Sequence, residues 1–230
     1  MPARRLARQV WLLFRKDLVT ELRTRDTVVM LLFFSLLLVV IFAFSFMADD
    51  DLALAVTPGV LWVSAAFTGV LGIERSFARE QEGRTLTALV LVPGVARALF
   101  AAKMAINVLY MLLVEAFVVP LAVGMLEAEV TLPQVGLVAA AMALGTLGFA
   151  AVGTVFSAML VAIKRRGVLL PIVLYPVTIP LLVMGVKAVA TTLEGRPTPE
   201  IMSWFRIMIA VDVLYIVAGA WLFGMLVEED

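Results

Sequence analysis

The run TVVMLLFFSLLLVVIFAFSFM, Thr27–Met47, contains no charged side chain, no proline and no glycine. At 1.5 Å per residue, a helix of this length crosses a hydrocarbon core of about 30 Å. The rest of the chain has the same character. Of its 230 residues, 63% are hydrophobic and 16% are charged. In soluble domains, roughly 45–50% of the residues are apolar and about 25% are charged. The sequence therefore predicts an integral membrane protein.

Further apolar runs of similar length follow, separated by short polar turns. The first span is expected to end at an acidic turn, Asp49–Asp51, and we predict one all-α transmembrane domain over residues 1–230. The predicted spans are Thr27–Met47, Ala55–Ile73, Ala101–Leu126, Gln134–Ile163, Val168–Ala190 and Trp204–Val227.

Residues 1–26, before the first span, have the pattern of an amphipathic helix. Apolar side chains recur every three or four positions, and basic side chains occupy the other side. Such a helix lies in the lipid headgroup layer, so we expect membrane lipid as its partner. The alternative is a solvated charged leader that only sets the topology. The predicted apolar face is Leu6, Val10, Leu13, Phe14, Leu18 and Leu22.

Lysine and arginine concentrate in three places: the amino-terminal arm, the segment after the second span and the turn after the fourth. The turns after the first and third spans contain none, and the turn after the fifth contains only Arg196. Positive residues mark the cytoplasmic side of a membrane protein. Both termini are therefore predicted to be cytoplasmic.

Cysteine and histidine are both absent. Disulfides, cysteine-based zinc or iron–sulfur sites and histidine ligation of haem are thereby excluded. The twelve methionines are scattered among leucine and valine, which is typical of core packing. We expect no catalytic residue, no stably bound cofactor or metal, and no nucleic-acid partner. Any ATP hydrolysis is expected in a separate chain.

Residues 74–100 form the one long polar segment between spans. With the three residues that follow, they make up the stretch Glu74–Lys103, ERSFAREQEGRTLTALVLVPGVARALFAAK. A charged cluster precedes an apolar stripe, which suggests a coupling helix that docks on a soluble partner. The alternative is a segment that lies flat against the membrane. The predicted docking residues are Arg75, Arg79, Glu80, Glu82, Gly83 and Arg84.

The fourth span carries small residues at helical spacing, which let helix backbones approach closely. We favour packing within the monomer, and a dimer seam is the alternative. The residues are Ala141, Gly145, Gly148, Gly153 and Ser157. The fifth span contains Pro171, Pro176 and Pro180, so it is either a bent strut or a moving gate.

Polar side chains inside the predicted spans are the remaining candidates for function, because polar groups in a bilayer are costly. They are Asn107, Glu115 and Asp212. The two acids could form a polar path or a gating pair. The alternative is that each only makes hydrogen bonds between helices.

The pattern R-E-x-E-G-x-T-L-x-x-L-x-x-x-P in Arg79–Pro93 resembles the first cytoplasmic loop of type-2 ABC exporter permeases. Five further stretches resemble signatures of the haem exporter protein B (CcmB) family, in the right order and over nearly the full length. They are ELRTRD (Glu21–Asp26), PGVLW (Pro58–Trp62), ERSFARE (Glu74–Glu80), LGTLGFAAVGT (Leu144–Thr154) and LLPIVLYP (Leu169–Pro176). The turn Lys164–Arg166 and the Arg84–Thr85 step depart from the family pattern.

The resemblance implies a permease subunit of the cytochrome c maturation complex in the bacterial inner membrane. Its expected partners are an ABC ATPase subunit that binds ATP, a haem-handling membrane subunit and a small single-span subunit. Haem is the candidate cargo, or ATP hydrolysis releases a haem-loaded periplasmic chaperone. The alternatives are an ABC permease for a lipid or drug and a secondary transporter that uses Glu115 and Asp212.

Overall fold

The computed structural model describes residues 2–46, 50–82, 95–125, 130–160 and 166–228, and these ranges contain seven helices and no strand. The predicted all-α fold is confirmed. The helices are α1 Pro2–Thr24, α2 Asp26–Phe46, α3 Asp50–Glu82, α4 Val95–Met125, α5 Leu132–Met159, α6 Arg166–Leu193 and α7 Thr198–Glu228.

Six of these helices, α2 to α7, are long and apolar enough to cross a membrane. Each contains most of one predicted span, although the helices extend beyond several predicted limits. α4 begins at Val95 rather than near Ala101, and α5 ends at Met159, before the predicted limit Ile163.

α1 and α2 meet at an elbow at Arg25, the single residue between them. Its φ of 58° lies in the left-handed region, which is uncommon for a residue with a side chain. The Arg25 amide still donates to the Glu21 carbonyl at 2.6 Å, and the Val29 amide donates to the Arg25 carbonyl at 3.0 Å. One residue therefore changes the direction of the chain while the backbone hydrogen bonds on both sides are kept.

α3 is longer than the span predicted within it. Asp50 and Asp51, predicted to lie in a turn, form its first turn, and the charged residues Glu74–Glu82 continue the same helix. Acidic side chains suit the amino terminus of a helix, and glutamate and arginine are good helix formers. The first part of the predicted coupling segment is therefore an extension of α3. Residues 83–94 lie outside the described residues.

α5 packs against α3, α4, α6 and α7, and α4 packs against α1, α2, α3, α5 and α7. The start of α5 is fixed by Gln134, whose side-chain oxygen accepts the Thr131 amide at 2.8 Å and whose amide nitrogen donates to the Thr192 carbonyl at 3.0 Å. α6 closes at Gly195, where φ is +64°. The Gly195 amide donates to the Thr192 carbonyl at 3.2 Å and the Arg196 amide to the Thr191 carbonyl at 3.0 Å, the pattern of a Schellman cap.

Candidate functional site

The small residues of α5 form a seam against neighbouring helices of the same chain. The Trp62 indole of α3 lies where side chains at Gly145 of α5 and Gly185 of α6 would otherwise be. Trp62 is buried, and its indole nitrogen has no hydrogen-bond partner in the described ranges. Without side chains, the two glycines let one large ring fill the space between α5 and α6.

The other predicted packing residues are buried as well. Gly148 lies against Asp212 of α7 and Leu181 of α6, and Gly153 lies against Ile73 of α3. Ala141 and Ser157 mark the two ends of the seam. These contacts are all intramolecular.

The buried acids of the bundle both contact α5, but on different sides of it. Glu115 of α4 accepts a hydrogen bond from the Thr146 hydroxyl of α5. Asp212 of α7 lies against Gly148, and neither of its carboxylate oxygens has a hydrogen-bond partner among the residues described. Thr146 and Gly148 are about 200° apart around α5, so the two acids lie on opposite sides of that helix.

Asn107 is the third of these polar residues, and it is also buried. Its side-chain nitrogen donates to the Thr154 hydroxyl of α5 at 3.1 Å. The Thr154 hydroxyl in turn donates to the Ala150 carbonyl of its own helix at 2.6 Å. Asn107 therefore links α4 to α5.

A cluster of charge lies where α1, α3 and α4 meet, and we call it the Lys103 junction: Asp17, Ser76, Phe77 and Lys103. The Lys103 ammonium group of α4 is 2.8 Å from Asp17 Oδ2 of α1 and donates to the Ser76 carbonyl of α3 at 3.1 Å. It also lies 5.6 Å from the centre of the Phe77 ring. Lys103 is only 2% exposed, so a buried cation binds three helices together.

A second buried acid fastens α1 one turn further along. The Glu21 carboxylate accepts the Val28 amide, in the first turn of α2, at 2.9 Å. Its other oxygen accepts the Tyr110 hydroxyl of α4 at 3.3 Å. Glu21 thus holds the elbow at Arg25 and joins α1 and α2 to α4.

The predicted docking residues lie at the same end of the bundle. Arg75 is exposed, with its guanidinium 3.8 Å from the Met30 sulfur. Arg79, Glu80 and Glu82 occupy the last turns of α3, and their side chains are outside the described part of the structure. Gly83 and Arg84 lie outside it entirely.

The start of the predicted coupling segment also contacts α6. The Glu74 carboxylate lies against Gly167, in the first turn of α6, where a side chain would displace it. An anionic group is favourable at this position because the amino terminus of a helix is partially positive. The last part of α3 is therefore in contact with α6 as well as with α4.

No sequence pattern described above indicates Asp17, Glu21 or Lys103 as site residues. A signal for the acids was present, because Asp17 and Glu21 are four residues apart in a strongly basic arm and share the side of Val10 and Phe14. That side packs on α4, while Leu22, predicted to belong to the apolar face, is 64% exposed. The partner Lys103 is far along the chain and no local pattern indicates it.

Six apolar helices around a glycine-lined seam, with a charged junction at one end, define a multi-pass helical membrane protein. A sequence profile of the family described as "CcmB protein" matches residues 8–228. The chain therefore belongs to the CcmB family, as its motifs predicted.

Curated relatives support this assignment. The chain is 29% identical over 206 residues to "Heme exporter protein B" of Pseudomonas aeruginosa, covering 90% of this chain and 88% of the relative. It is 31% identical over 178 residues to the protein of the same name in Escherichia coli (strain K12), covering 77% and 80%. The Bradyrhizobium diazoefficiens protein of that name is 26% identical over 210 residues, covering 90% and 91%.

Proposed function

We propose that this chain is the permease subunit of an ATP-driven complex for the biogenesis of c-type cytochromes. Membership of the CcmB family along residues 8–228 is the observation that carries the proposal. The relatives are named as heme exporters, which are transport components, and the whole bundle of this chain lies within the matched region.

The proposal places the Lys103 junction and the end of α3 on the cytoplasmic side of the bacterial inner membrane. The positive residues of the arm, of the segment after the second span and of Lys164–Arg166 support this orientation. The docking residues Arg75–Arg84 then face the compartment that contains ATP. A separate ATPase subunit binds and hydrolyses ATP there, and α3 and α4 receive the motion.

On the opposite side, the complex delivers haem or releases a haem-loaded chaperone, with a haem-handling membrane subunit and a small single-span subunit as further partners. The chain contains no histidine or cysteine, so we propose that it binds haem at most as passing cargo and holds no cofactor of its own. The lack of axial ligands favours the chaperone-release role.

The docking part of the proposal is tested by replacing Glu80, Glu82 and Arg84 together with alanine. We expect normal membrane insertion and reduced co-purification of the ATPase subunit, because the charged docking surface is lost. A matched control replaces Glu194 and Arg196, in the turn after α6, and Glu200, in the first turn of α7, all of which are exposed. Equal recovery of the ATPase with both triple variants would place the docking surface elsewhere, for instance at Lys164–Gly167.

The pathway is tested by deleting the gene and staining membrane proteins for covalently bound haem. We expect c-type cytochromes to disappear and to return when the wild-type gene is supplied on a plasmid. Normal staining in the deletion strain would contradict the proposal and favour an ABC permease for another cargo, such as a lipid or a drug.

A further inference from the structure

The ends of the stretch Glu74–Lys103 are joined directly to each other. Ser76 lies near its start and Lys103 ends it, and the Lys103 ammonium donates to the Ser76 carbonyl at 3.1 Å. Phe77 is fully buried and its ring is 5.6 Å from the same ammonium. The end of the helix that carries the predicted docking residues is therefore held to the start of α4 by a buried cation.

α1 is attached to the same cation through Asp17. Asp17 is 15% exposed and Lys103 only 2%, and their charged atoms are 2.8 Å apart. Asp17 also contacts Lys16 at 3.3 Å, but the Lys16 side chain is 43% exposed. An exposed pair of this kind contributes little, whereas loss of one partner of a buried pair leaves a charge without compensation. Of the two ion pairs of Asp17, the buried one with Lys103 therefore contributes more to the position of α1.

We propose that Lys103 is a positioning residue that joins α1 to the base of the coupling segment, so that a displacement of the segment moves α1, α3 and α4 together. The inference rests on the proposed function, because it takes an ATPase subunit as the source of the displacement. It assigns the amino-terminal helix a role in coupling in addition to its place in the lipid headgroup layer.

The geometry explains why a lysine suits this position. Its ammonium group has three donors and can serve Asp17 and the Ser76 carbonyl at the same time. A methionine has a similar length but no donor and no charge. The substitution Lys103→Met therefore removes the contacts with Asp17 and the Ser76 carbonyl with little change in side-chain volume.

The chain contains no cysteine, so a single Ser76→Cys substitution provides a structural reporter at the junction. Ser76 is buried, and we expect its thiol to react slowly with N-ethylmaleimide in membranes that contain the full complex. Combined with Lys103→Met or with Asp17→Asn, the reporter should react about tenfold faster, because a compensated buried charge pair has been broken. Lys16→Met is the matched control and should leave the labelling rate unchanged.

Coupling is measured in the same strains without the reporter. Lys103→Met should lower the amount of c-type cytochrome about tenfold while the ATPase subunit still co-purifies, since the docking side chains are intact. In the double variant Asp17→Asn, Lys103→Met the loss should be no larger than in Lys103→Met alone, because residues that act as one pair are not additive. If Lys103→Met does not accumulate in the membrane, the same measurements on Asp17→Asn test the proposal.

Slow labelling in both Lys103→Met and Asp17→Asn would overturn the junction itself. Fast labelling with normal cytochrome levels would overturn its role in coupling. Normal cytochrome levels in a gene deletion would instead reject the proposed function, and the labelling result would still report whether the junction exists.

Discussion

At the scale of single residues, the close packing of the helices depends on glycines, which have no side chain. Trp62 is the largest side chain of α3, and it fits between α5 and α6 only because Gly145 and Gly185 leave room for it. Lipid provides no hydrophobic gain for helix association, so such close packing is a main source of bundle stability. The seam therefore tolerates little added volume.

Gly145→Ala tests this packing. The added methyl group would overlap the Trp62 ring, and we expect the free energy of unfolding to fall by about 1–3 kcal/mol. The measurement is the thermal unfolding midpoint in detergent. Gly136→Ala is the matched control on the same helix, because a side chain there meets nothing within 4 Å. It should unfold at the same temperature or slightly higher.

The overlap at Gly145 involves the outer atoms of the Trp62 indole. Adding Trp62→Phe to Gly145→Ala should therefore restore part of the lost free energy of unfolding, because the phenyl ring is smaller. A Gly145→Ala variant as stable as Gly136→Ala would contradict the packing described for the seam.

At the scale of the elements, the elbow between α1 and α2 sets how the amino-terminal helix meets the bundle. Arg25 has a positive φ, and Glu21 compensates by accepting the Val28 amide at the start of α2. A left-handed conformation costs a residue with a side chain roughly 1–2 kcal/mol, a cost that glycine avoids. The left-handed conformation of Arg25 is thus maintained by the contacts around it and not by the intrinsic preference of arginine.

Arg25→Gly should therefore raise the free energy of unfolding, by about 0.5–1 kcal/mol. Arg23→Gly, two positions earlier and within α1, should lower it by about 1 kcal/mol because glycine is a poor helix former. Thermal unfolding of the two variants compares the same substitution in two backbone conformations. Destabilisation of similar size in both would show that the elbow is not strained.

The elements also show which parts of the fold the sequence can predict. The six spans follow from length and composition alone. The packing face of α2 does not, because this helix is apolar on every side, and its buried stripe is Thr27, Leu31, Ser35, Val39 and Ala43. α3 continues beyond its predicted end because Glu74–Glu82 contains no residue that breaks a helix. The Asp17–Lys103 pair joins residues 86 positions apart, and local periodicity carries no information on such contacts.

At the scale of the whole molecule, the orientation of the bundle in the membrane determines which compartment each of its ends faces. The arm, the end of α3 and the start of α4 lie together at one end, and the turn between α6 and α7 has only Arg196 as a basic residue. The positive-inside rule assigns the first of these ends to the cytoplasm. Both the docking of an ATPase subunit and the coupling role of the Lys103 junction require that assignment.

Single cysteines test the orientation, because the natural chain has none. Ala7→Cys in α1 and Thr198→Cys at the start of α7 are both at exposed positions. On intact spheroplasts, a membrane-impermeant maleimide should label Thr198→Cys only, and Ala7→Cys should react after the cells are opened. The reverse pattern would place the docking surface on the periplasmic side.

The proposed role as the membrane subunit of an ATP-driven complex requires stable partners. We would purify the tagged chain from its native membrane in mild detergent and identify the subunits that co-purify by mass spectrometry. We predict an ABC ATPase subunit in constant ratio to the chain, together with a second multi-pass membrane protein and a small single-span protein. If the chain purifies without any ATPase subunit from membranes that contain one, it is not the membrane subunit of such a complex.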